Sequence, residues 1–296
     1  MPVPDRIAFS LFGFDIMWYG ILVATGIALC VAIPYRRAPK HGLSSDKFLN
    51  YAIVIVLAGI VGTRLYYVLF NLSYFAEDWA RVFRLREGGL AIHGGLISGV
   101  LAALILCRIW KDAPLNFLDL GFASVPLGQA VGRWGNYFNS EAHGGPTDLP
   151  WAITVEGVKV HPTFLYESIW CFFLFLFLIW VDNRRQFEGQ TALLYAILYS
   201  FERFFVEGLR TDSLMAFGVI RQAQALSAIV FFGGILAYFL LYKRYKRRRR
   251  SDAPEVKPQC EDAGGRSRSV QAFLACLKAR AASEAEKKTE ERRRES

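Results

Sequence analysis

Long apolar runs alternate with short polar connections through the first 242 residues of the chain. Each run is long enough to cross about 30 Å of hydrocarbon as a helix. The pattern predicts an all-α polytopic membrane protein with seven transmembrane helices, over residues 16–34, 49–70, 90–109, 117–134, 164–181, 190–208 and 219–242. Because Arg36 and Arg37 follow the first apolar run rather than precede it, we expect the first helix to stay as an anchor.

Charged side chains stand out in the fourth and sixth predicted spans. Both 117–134 and 190–208 include an arginine, and the second also contains glutamate. Charged groups within a bilayer face the interior of a helix bundle or a water-filled cavity, and they commonly belong to a functional site. We therefore expect an average of hydropathy to rank these two spans below the other five, and we look for function there.

Two connections predicted to lie on the same side of the membrane are unusually long. Residues 71–89 mix aromatic side chains such as Trp79 with both signs of charge, which is typical of an amphipathic arm in the headgroup layer. Residues 136–163 are rich in glycine and proline and contain a possible hairpin from Trp151 to Val160. Together they predict a small extracytoplasmic cap.

The basic residues indicate how the chain is oriented. Alternate connections carry fifteen lysines and arginines on one side and seven on the other. Since basic residues are retained in the cytosol, we predict an N-terminus outside and a C-terminus in the cytosol. The seven-helix membrane domain is assigned to residues 1–242, and residues 243–296 to a basic, disordered cytosolic tail that holds eight of the nine net positive charges.

Composition narrows the class of protein further. Hydrophobic residues make up 53% of the chain and aromatic residues 15%, which excludes a disordered protein and disfavours an ordinary soluble domain. The five cysteines form no CxxC pair, so neither a disulfide framework nor a metal site is expected. The tail has few aromatic residues among its charges, which favours contact with anionic membrane lipids over nucleic acid.

Four polar residues recur at helical spacing in the sixth span and therefore share one stripe. They are Tyr199, Arg203, Glu207 and Arg210. Glu207 lies one turn from Arg203 and is its expected partner, which leaves other donors of the guanidinium free to face a phosphate. The alternative is a purely structural arginine–glutamate pair or an arginine that reaches the membrane surface.

The fourth span holds a second basic centre. Arg133 and Asn136 share a helix face, and glycines at 128, 132 and 135 allow close approach of a headgroup or of another helix. A guanidinium binds phosphate through two parallel hydrogen bonds. Arg133 and Arg203 together predict a site for an anionic phospholipid headgroup near the outer interface.

His93 is a candidate base where the chain enters the third span. It stands between Gly88-Gly89 and Gly94-Gly95, and histidine exchanges protons near neutral pH. The alternative is an ordinary hydrogen-bonding histidine at the interface. Tyr19 is either a headgroup contact or part of an aromatic belt, and Arg64 either lines a cavity or reaches the membrane surface.

Four motifs in order carry a resemblance to a known family. GGLAIHGGLISG, GRWGNYFNSEAHGGPTDLPWAI, HPTFLYES and LYSFERFFVEGLR resemble the bacterial phosphatidylglycerol–prolipoprotein diacylglyceryl transferases, over residues 15–242. The resemblance implies a multi-pass enzyme of the cytoplasmic (inner) membrane. It implies transfer of the diacylglyceryl group of phosphatidylglycerol to the lipobox cysteine in the signal peptide of a prolipoprotein, with release of glycerol 1-phosphate and no metal or organic cofactor.

The resemblance also assigns roles to particular residues. It implies catalytic roles for His93, Arg133, Arg203 and Tyr199, and substrate-binding roles for Tyr19, Arg133, Asn136, Glu141, Gly144, Glu207 and Arg210. Glu202 departs from the family pattern, which more often has an apolar residue there. Two other classes remain: an anion transporter or channel that uses the same arginines, and a retinal-type receptor, which the absence of lysine from every predicted span disfavours.

Overall fold

The structure is a computed structural model that describes residues 5–76, 78–84, 88–89, 91–211, 215–216 and 220–251. The helices are Trp18–Arg37 (α1), Ser45–Phe70 (α2), Leu72–Ala76 (α3), Ile92–Trp110 (α4), Pro114–Phe122 (α5), Val125–Asn139 (α6), Thr163–Asp182 (α7), Gln190–Leu209 (α8) and Gln222–Ser251 (α9). Antiparallel hairpins pair Ile7–Leu11 (β1) with Phe14–Met17 (β2), Ile153–Val155 (β3) with Val158–Val160 (β4), and Met215–Ala216 (β5) with Ile220–Arg221 (β6). Short 3₁₀ helices cover Ala38–His41 and Trp79–Phe83.

The prediction of a helical membrane protein is confirmed. Within the described residues, five helices are long and apolar enough to cross a membrane: Trp18–His41, Ser45–Phe70, His93–Trp110, Thr163–Asp182 and Gln222–Arg250. The two predicted spans that are missing from this set are the fourth and the sixth. The sixth, helix α8, contains Glu202, Arg203 and Glu207, which lower its average hydropathy as the sequence indicated. The fourth falls on α5 and α6, each of which is too short to cross a membrane alone.

The fourth predicted span, 117–134, is wrong as a single helix. Helix α5 ends at Phe122, helix α6 begins at Val125, and Ser124 occupies the position before α6. Pro126 lies in the first turn of α6. Proline has no amide hydrogen and fits the first turn of a helix but not its interior, so the chain breaks just before it.

Glycines allow the close packing of two helix pairs, α2 with α4 and α1 with α6. A Cβ atom added at Gly94 would lie 2.2 Å from the carbonyl oxygen of Gly62, and one at Gly128 would lie 2.4 Å from Cys30 Sγ. A Cβ at Gly132, in contrast, would meet no described atom within 4 Å. Helix packing therefore explains Gly128, while Gly132 leaves open space beside Arg133.

The hairpins add short β structure to the predicted all-α fold. The β3–β4 hairpin confirms the one predicted between Trp151 and Val160, and its turn places Glu156 and Gly157 at φ values of 50° and 83°. Such positive values at both turn positions match the right-handed twist of the strands. The β1–β2 hairpin before α1 was not predicted, because its exposed apolar tip around Phe12 lacks the alternation of a half-buried strand.

Arg64 binds the predicted arm, 71–89, and so takes neither of the roles considered for it. Its guanidinium donates to the carbonyl oxygens of Val82 at 2.9 Å and Gly88 at 2.6 Å, among others. The ring of Phe75, fully buried, lies 5.2 Å below the guanidinium. A buried arginine with several carbonyl partners satisfies both its own donors and the backbone of the arm.

The predicted tail begins inside a helix. By its contacts the chain divides into a unit Met1–Lys243 and a unit Arg244–Ser296. Helix α9 extends to Ser251, so the first basic residues of the predicted tail are helical. Residues 252–296 lie outside the described residues, and the assignment of a disordered tail stays a prediction.

Candidate active site

Two arginines from different helices meet at one buried carboxylate. Arg133 on α6 forms an ion pair with Glu167 Oε2, and Arg203 Nη1 on α8 lies 3.2 Å from Glu167 Oε1. Glu167 belongs to α7, which packs against both of the other helices. Its side chain is 1% exposed. The Glu167 carboxylate therefore holds the two guanidinium groups side by side, and each of them helps to compensate its buried negative charge.

The stripe on α8 contributes two more contacts. Arg203 Nη2 lies 2.6 Å from Glu207 Oε2, as the spacing predicted. The Tyr199 hydroxyl accepts a hydrogen bond from Arg133 Nη2 at 3.2 Å. Because Tyr199 and Glu207 occupy one helix face, α8 positions both arginines, although the hydroxyl of Tyr199 contacts Arg133 rather than its neighbour on the same helix.

The exposure of these groups shows which part of the cluster a ligand can reach. The side chains of Arg133 and Arg203 are 19% and 18% exposed, while that of Glu207 is 5% exposed. The carboxylates are almost fully enclosed, and each guanidinium keeps an accessible part. The cluster therefore offers two adjacent positive groups to an anion, with the compensating acids behind them.

Asn136 and Glu141 are brought together at the C-terminal end of α6. The Asn136 side-chain amide donates to Glu141 Oε1 at 3.0 Å, and the Glu141 amide donates to the Asn136 carbonyl at 3.0 Å. Tyr19 packs its ring against Gly135 and lies within electrostatic range of Arg133 and Glu141. These three predicted residues thus border the position of Arg133.

Gly144 and Arg210 join the cap segment to the end of α8. They form an isolated antiparallel bridge, and the Gly144 amide donates to the His161 carbonyl at 2.9 Å. A Cβ at Gly144 would lie 2.6 Å from His161 Cβ, so only glycine fits. The bridge fixes the cap segment beside the helix that carries Arg203.

His93 lies on a different helix pair from the arginines. Its side chain is exposed at the start of α4, and its ring centroid is 6.3 Å from that of Tyr66 on α2. Among the residues that the structure describes, no contact joins His93 to Arg133 or Arg203. The proposed base is therefore not part of the arginine cluster, and its role stays a prediction.

Sequence reasoning missed Glu167. The residue stands in the HPTFLYES motif, but no role was assigned to it. A signal was present, since an acid early in a strongly apolar span needs a compensating partner. Glu202 was noticed only as a departure from a family pattern. Glu202 is 6% exposed, and neither of its carboxylate oxygens has a hydrogen-bond partner among the described residues.

The described residues contain no group of three or more histidine, cysteine, aspartate or glutamate side chains arranged to hold a metal ion. Arg133 and Arg203 supply two guanidinium groups that can face an anionic ligand in this cluster. Arginine suits this role because its charge persists at all physiological pH values and its donors form a planar fork.

Comparisons with known proteins match most of the chain. The model of the family described as prolipoprotein diacylglyceryl transferase matches residues 6–240. The chain is 52% identical over 242 residues to a phosphatidylglycerol–prolipoprotein diacylglyceryl transferase of Clostridioides difficile (strain 630), covering 82% of this chain and 97% of that protein. It is 45% identical to the protein of the same name from Finegoldia magna, covering 82% and 96%. A third protein of that name, from Clostridium novyi, is 43% identical over 78% of this chain and 94% of its own length.

Proposed function

The chain belongs to the prolipoprotein diacylglyceryl transferase family, and we propose that it transfers the diacylglyceryl group of phosphatidylglycerol to the lipobox cysteine of a prolipoprotein. The products are a thioether-linked lipid on that cysteine and glycerol 1-phosphate. The observation that carries this proposal is the pair of partly accessible guanidinium groups of Arg133 and Arg203, held at a buried carboxylate within apolar helices. Such a pair suits a phosphate that gains charge during a reaction.

We also propose a topology for the chain in the bacterial cytoplasmic (inner) membrane. In this topology helix α8 and the α5–α6 pair cross the membrane in addition to the five apolar helices, which would make seven crossings. The distribution of basic residues supports an outside N-terminus and a cytosolic C-terminal end. The arginine cluster then lies toward the outer leaflet, where a signal peptide that has crossed the membrane meets phosphatidylglycerol.

The reaction exchanges one bond at a carbon of the lipid. The cysteine sulfur forms a bond to the sn-3 carbon of the diacylglyceryl group, and the bond from that carbon to the phosphate oxygen breaks. The electron pair of the broken bond stays with the phosphate oxygen. The phosphodiester of the lipid has one negative charge, and the phosphate monoester that leaves has two. Arg133 and Arg203 donate to the phosphate oxygens and neutralise this developing charge.

The thiol of the lipobox cysteine must lose its proton to become a nucleophile. His93 is the proposed base, on its histidine chemistry and on its position between glycines where α4 begins. Because the described contacts place His93 on the α2–α4 pair, this role requires the peptide to bind between that pair and the arginines. The substrate would then span the two groups.

The remaining residues position the arginines or border the lipid. Glu167, Tyr199 and Glu207 fix the two guanidinium groups through the contacts described above. We propose that Tyr19, Asn136, Glu141, Gly144 and Arg210 shape the headgroup site, since they lie beside Arg133 or join the cap segment to α8.

A single assay tests this function against an anion transporter. The purified full chain is mixed with phosphatidylglycerol micelles and a lipobox peptide, and both products are measured by mass spectrometry. We expect a thioether-linked peptide and an equal amount of glycerol phosphate. If neither forms, while reconstituted protein moves phosphate-bearing anions across vesicles, the transferase proposal is overturned.

Deletion of residues 251–296 is expected to leave the transfer rate within about twofold of the full chain, because all the proposed site residues precede this segment and changes away from such contacts alter free energies by about 0.5 kcal/mol or less. The matched family region ends at residue 240, before this segment. The same two-product assay measures the rate, with thermal unfolding of both proteins as the control for folding. A large loss of rate in a stable truncated protein would assign the tail a part in the reaction.

A further inference from the structure

A basic cavity lies at the opposite end of α7 from the cluster of Arg133, Arg203 and Glu167. Its volume is about 310 Å³, and its lining residues are Arg37, Lys40, His41, Asp182, Asn183 and Arg185. Glu167 and Asp182 are fifteen residues apart on the same helix, so the two sites are separated by about 22 Å along its axis. None of the lining residues takes part in the proposed transfer.

The cavity has a rigid floor made by one buried aspartate. Asp182 Oδ2 lies 2.5 Å from Arg37 Nη2 and 3.0 Å from His41 Nε2, and its side chain is 1% exposed. The Thr191 hydroxyl donates to Asp182 Oδ1 at 3.3 Å. These contacts join α1, the 3₁₀ helix Ala38–His41, α7 and α8, so the lining residues are held in place by four elements.

The ring of His41 has a hydrogen-bond partner at each of its two nitrogens. Its Nε2 faces the Asp182 carboxylate, and its Nδ1 lies 3.0 Å from Asn116 Oδ1. The Asn116 amide nitrogen donates to the His41 carbonyl at 2.7 Å, which fixes the oxygen of that amide toward the ring. These contacts hold the ring in one orientation in the lining of the cavity.

The cavity therefore has more positive than negative groups. Its cations are Arg37, Lys40 and Arg185, and the acids that compensate them are Asp182 and Asp119. Arg185 is paired with Asp119 at 3.2 Å, while the described contact of Lys40 Nζ is to the neutral Asn183 Oδ1 at 3.4 Å. One positive charge is left over, and it stands at an open cavity.

The position of the cavity suits a lipid headgroup. The exposed ring of Trp180, in the last turn of α7, lies 4.9 Å from the guanidinium carbon of Arg184. Tryptophan paired with arginine at the end of an apolar helix is typical of the membrane–water interface. Basic cavities between helices at this depth bind anionic headgroups.

We propose that this cavity binds a phosphate group, supplied by an anionic phospholipid of the leaflet that surrounds this end of α7. Lys40 contributes the cation that has no carboxylate partner among the described residues, and Arg37 and Arg185 line the remainder of the cavity. A volume of about 310 Å³ lies at the lower limit of ligand pockets, which suits a headgroup whose acyl chains stay in the membrane. The site is separate from the transfer reaction and can exist whether or not that proposal holds.

The test uses the full chain in phosphatidylcholine nanodiscs that contain a minor fraction of phosphatidic acid. Native mass spectrometry then counts the phosphatidic acid that remains bound after release of the protein. Lys40→Gln is expected to weaken this retention about fivefold, since a basic residue near a membrane surface contributes about 1 kcal/mol of attraction. Arg108→Gln is the matched control, because Arg108 is an exposed basic residue on the same predicted side and outside the cavity.

Three outcomes decide the proposal and the source of the phosphate. Selective loss of the lipid in Lys40→Gln, with the transfer rate in saturating phosphatidylglycerol unchanged, supports the lipid site. If the wild-type protein retains no lipid, but inorganic phosphate raises its unfolding temperature and Lys40→Gln abolishes that rise, the cavity binds phosphate. The source of the phosphate is then a soluble anion rather than a lipid. Equal lipid retention and equal response to phosphate in wild type and Lys40→Gln overturn it.

Discussion

Replacing Arg203 by lysine is expected to lower the rate of transfer by roughly 100-fold or more, the loss typical when one preorganised donor to a developing charge is removed. The guanidinium of Arg203 contacts Glu167 through Nη1 and Glu207 through Nη2 at the same time. A lysine ammonium is a point charge on a flexible chain and cannot keep both contacts while it faces a phosphate. The positive charge is preserved, so the loss measures geometry rather than net charge.

The release of glycerol phosphate and the formation of the thioether are measured over a range of phosphatidylglycerol concentrations. We expect kcat to fall more than KM changes, because the interaction strengthens as the phosphate gains charge. Arg108→Lys makes the same change at an exposed helix end and should retain the wild-type rate. A rate for Arg203→Lys near that of wild type would exclude Arg203 from contact with the phosphate.

Replacing Glu167 by glutamine is expected to have the second largest effect. The substitution keeps the shape of the side chain but removes the charge that Arg133 and Arg203 share. Removing one partner of a buried ion pair destabilises a protein by about 3 to 5 kcal/mol. We expect a lower unfolding temperature, and a transfer rate reduced at least tenfold in the protein that remains folded, since the two guanidinium groups lose their common anchor.

Glu202 provides a matched control for this experiment. It is a second buried glutamate beside the arginines, but its carboxylate oxygens have no hydrogen-bond partner among the described residues. Glu202→Gln changes a buried carboxyl group without removing such a contact, so we expect a small change in both stability and rate. The roles of the two acids would be reversed if Glu202→Gln abolished transfer in a folded protein while Glu167→Gln retained it.

Local sequence signals predicted the elements that depend on local structure. The apolar runs predicted the five apolar helices, and the alternation around Glu156-Gly157 predicted the β3–β4 hairpin. The break before α6 was also readable from Pro126, but the apolar run on both sides of it concealed the signal. The helical spacing of Arg203 and Glu207 likewise predicted their ion pair.

Contacts between helices were less accessible from the sequence. Spacing placed Tyr199 and Arg203 on one stripe, but only the packing of α6 against α7 and α7 against α8 brings the Tyr199 hydroxyl to Arg133. Arg64 was assigned to a cavity or the membrane surface, whereas it binds the backbone of the arm. The partner of Tyr199 lies far away in the sequence, and the partners of Arg64 lie in a segment without a regular hydrophobic pattern. Local spacing therefore predicts neither contact.

By itself the sequence determined the membrane-spanning character of the chain, the two spans in which charge is concentrated and the family to which the chain belongs. Hydrophobic length and helical period are local properties, so a linear pattern is sufficient to specify them. The tertiary structure alone decided that Glu167 unites Arg133 and Arg203, and that His93 lies on a separate helix pair. Buried charges in an apolar bundle are paired across helices, and which charges meet depends on how the helices pack.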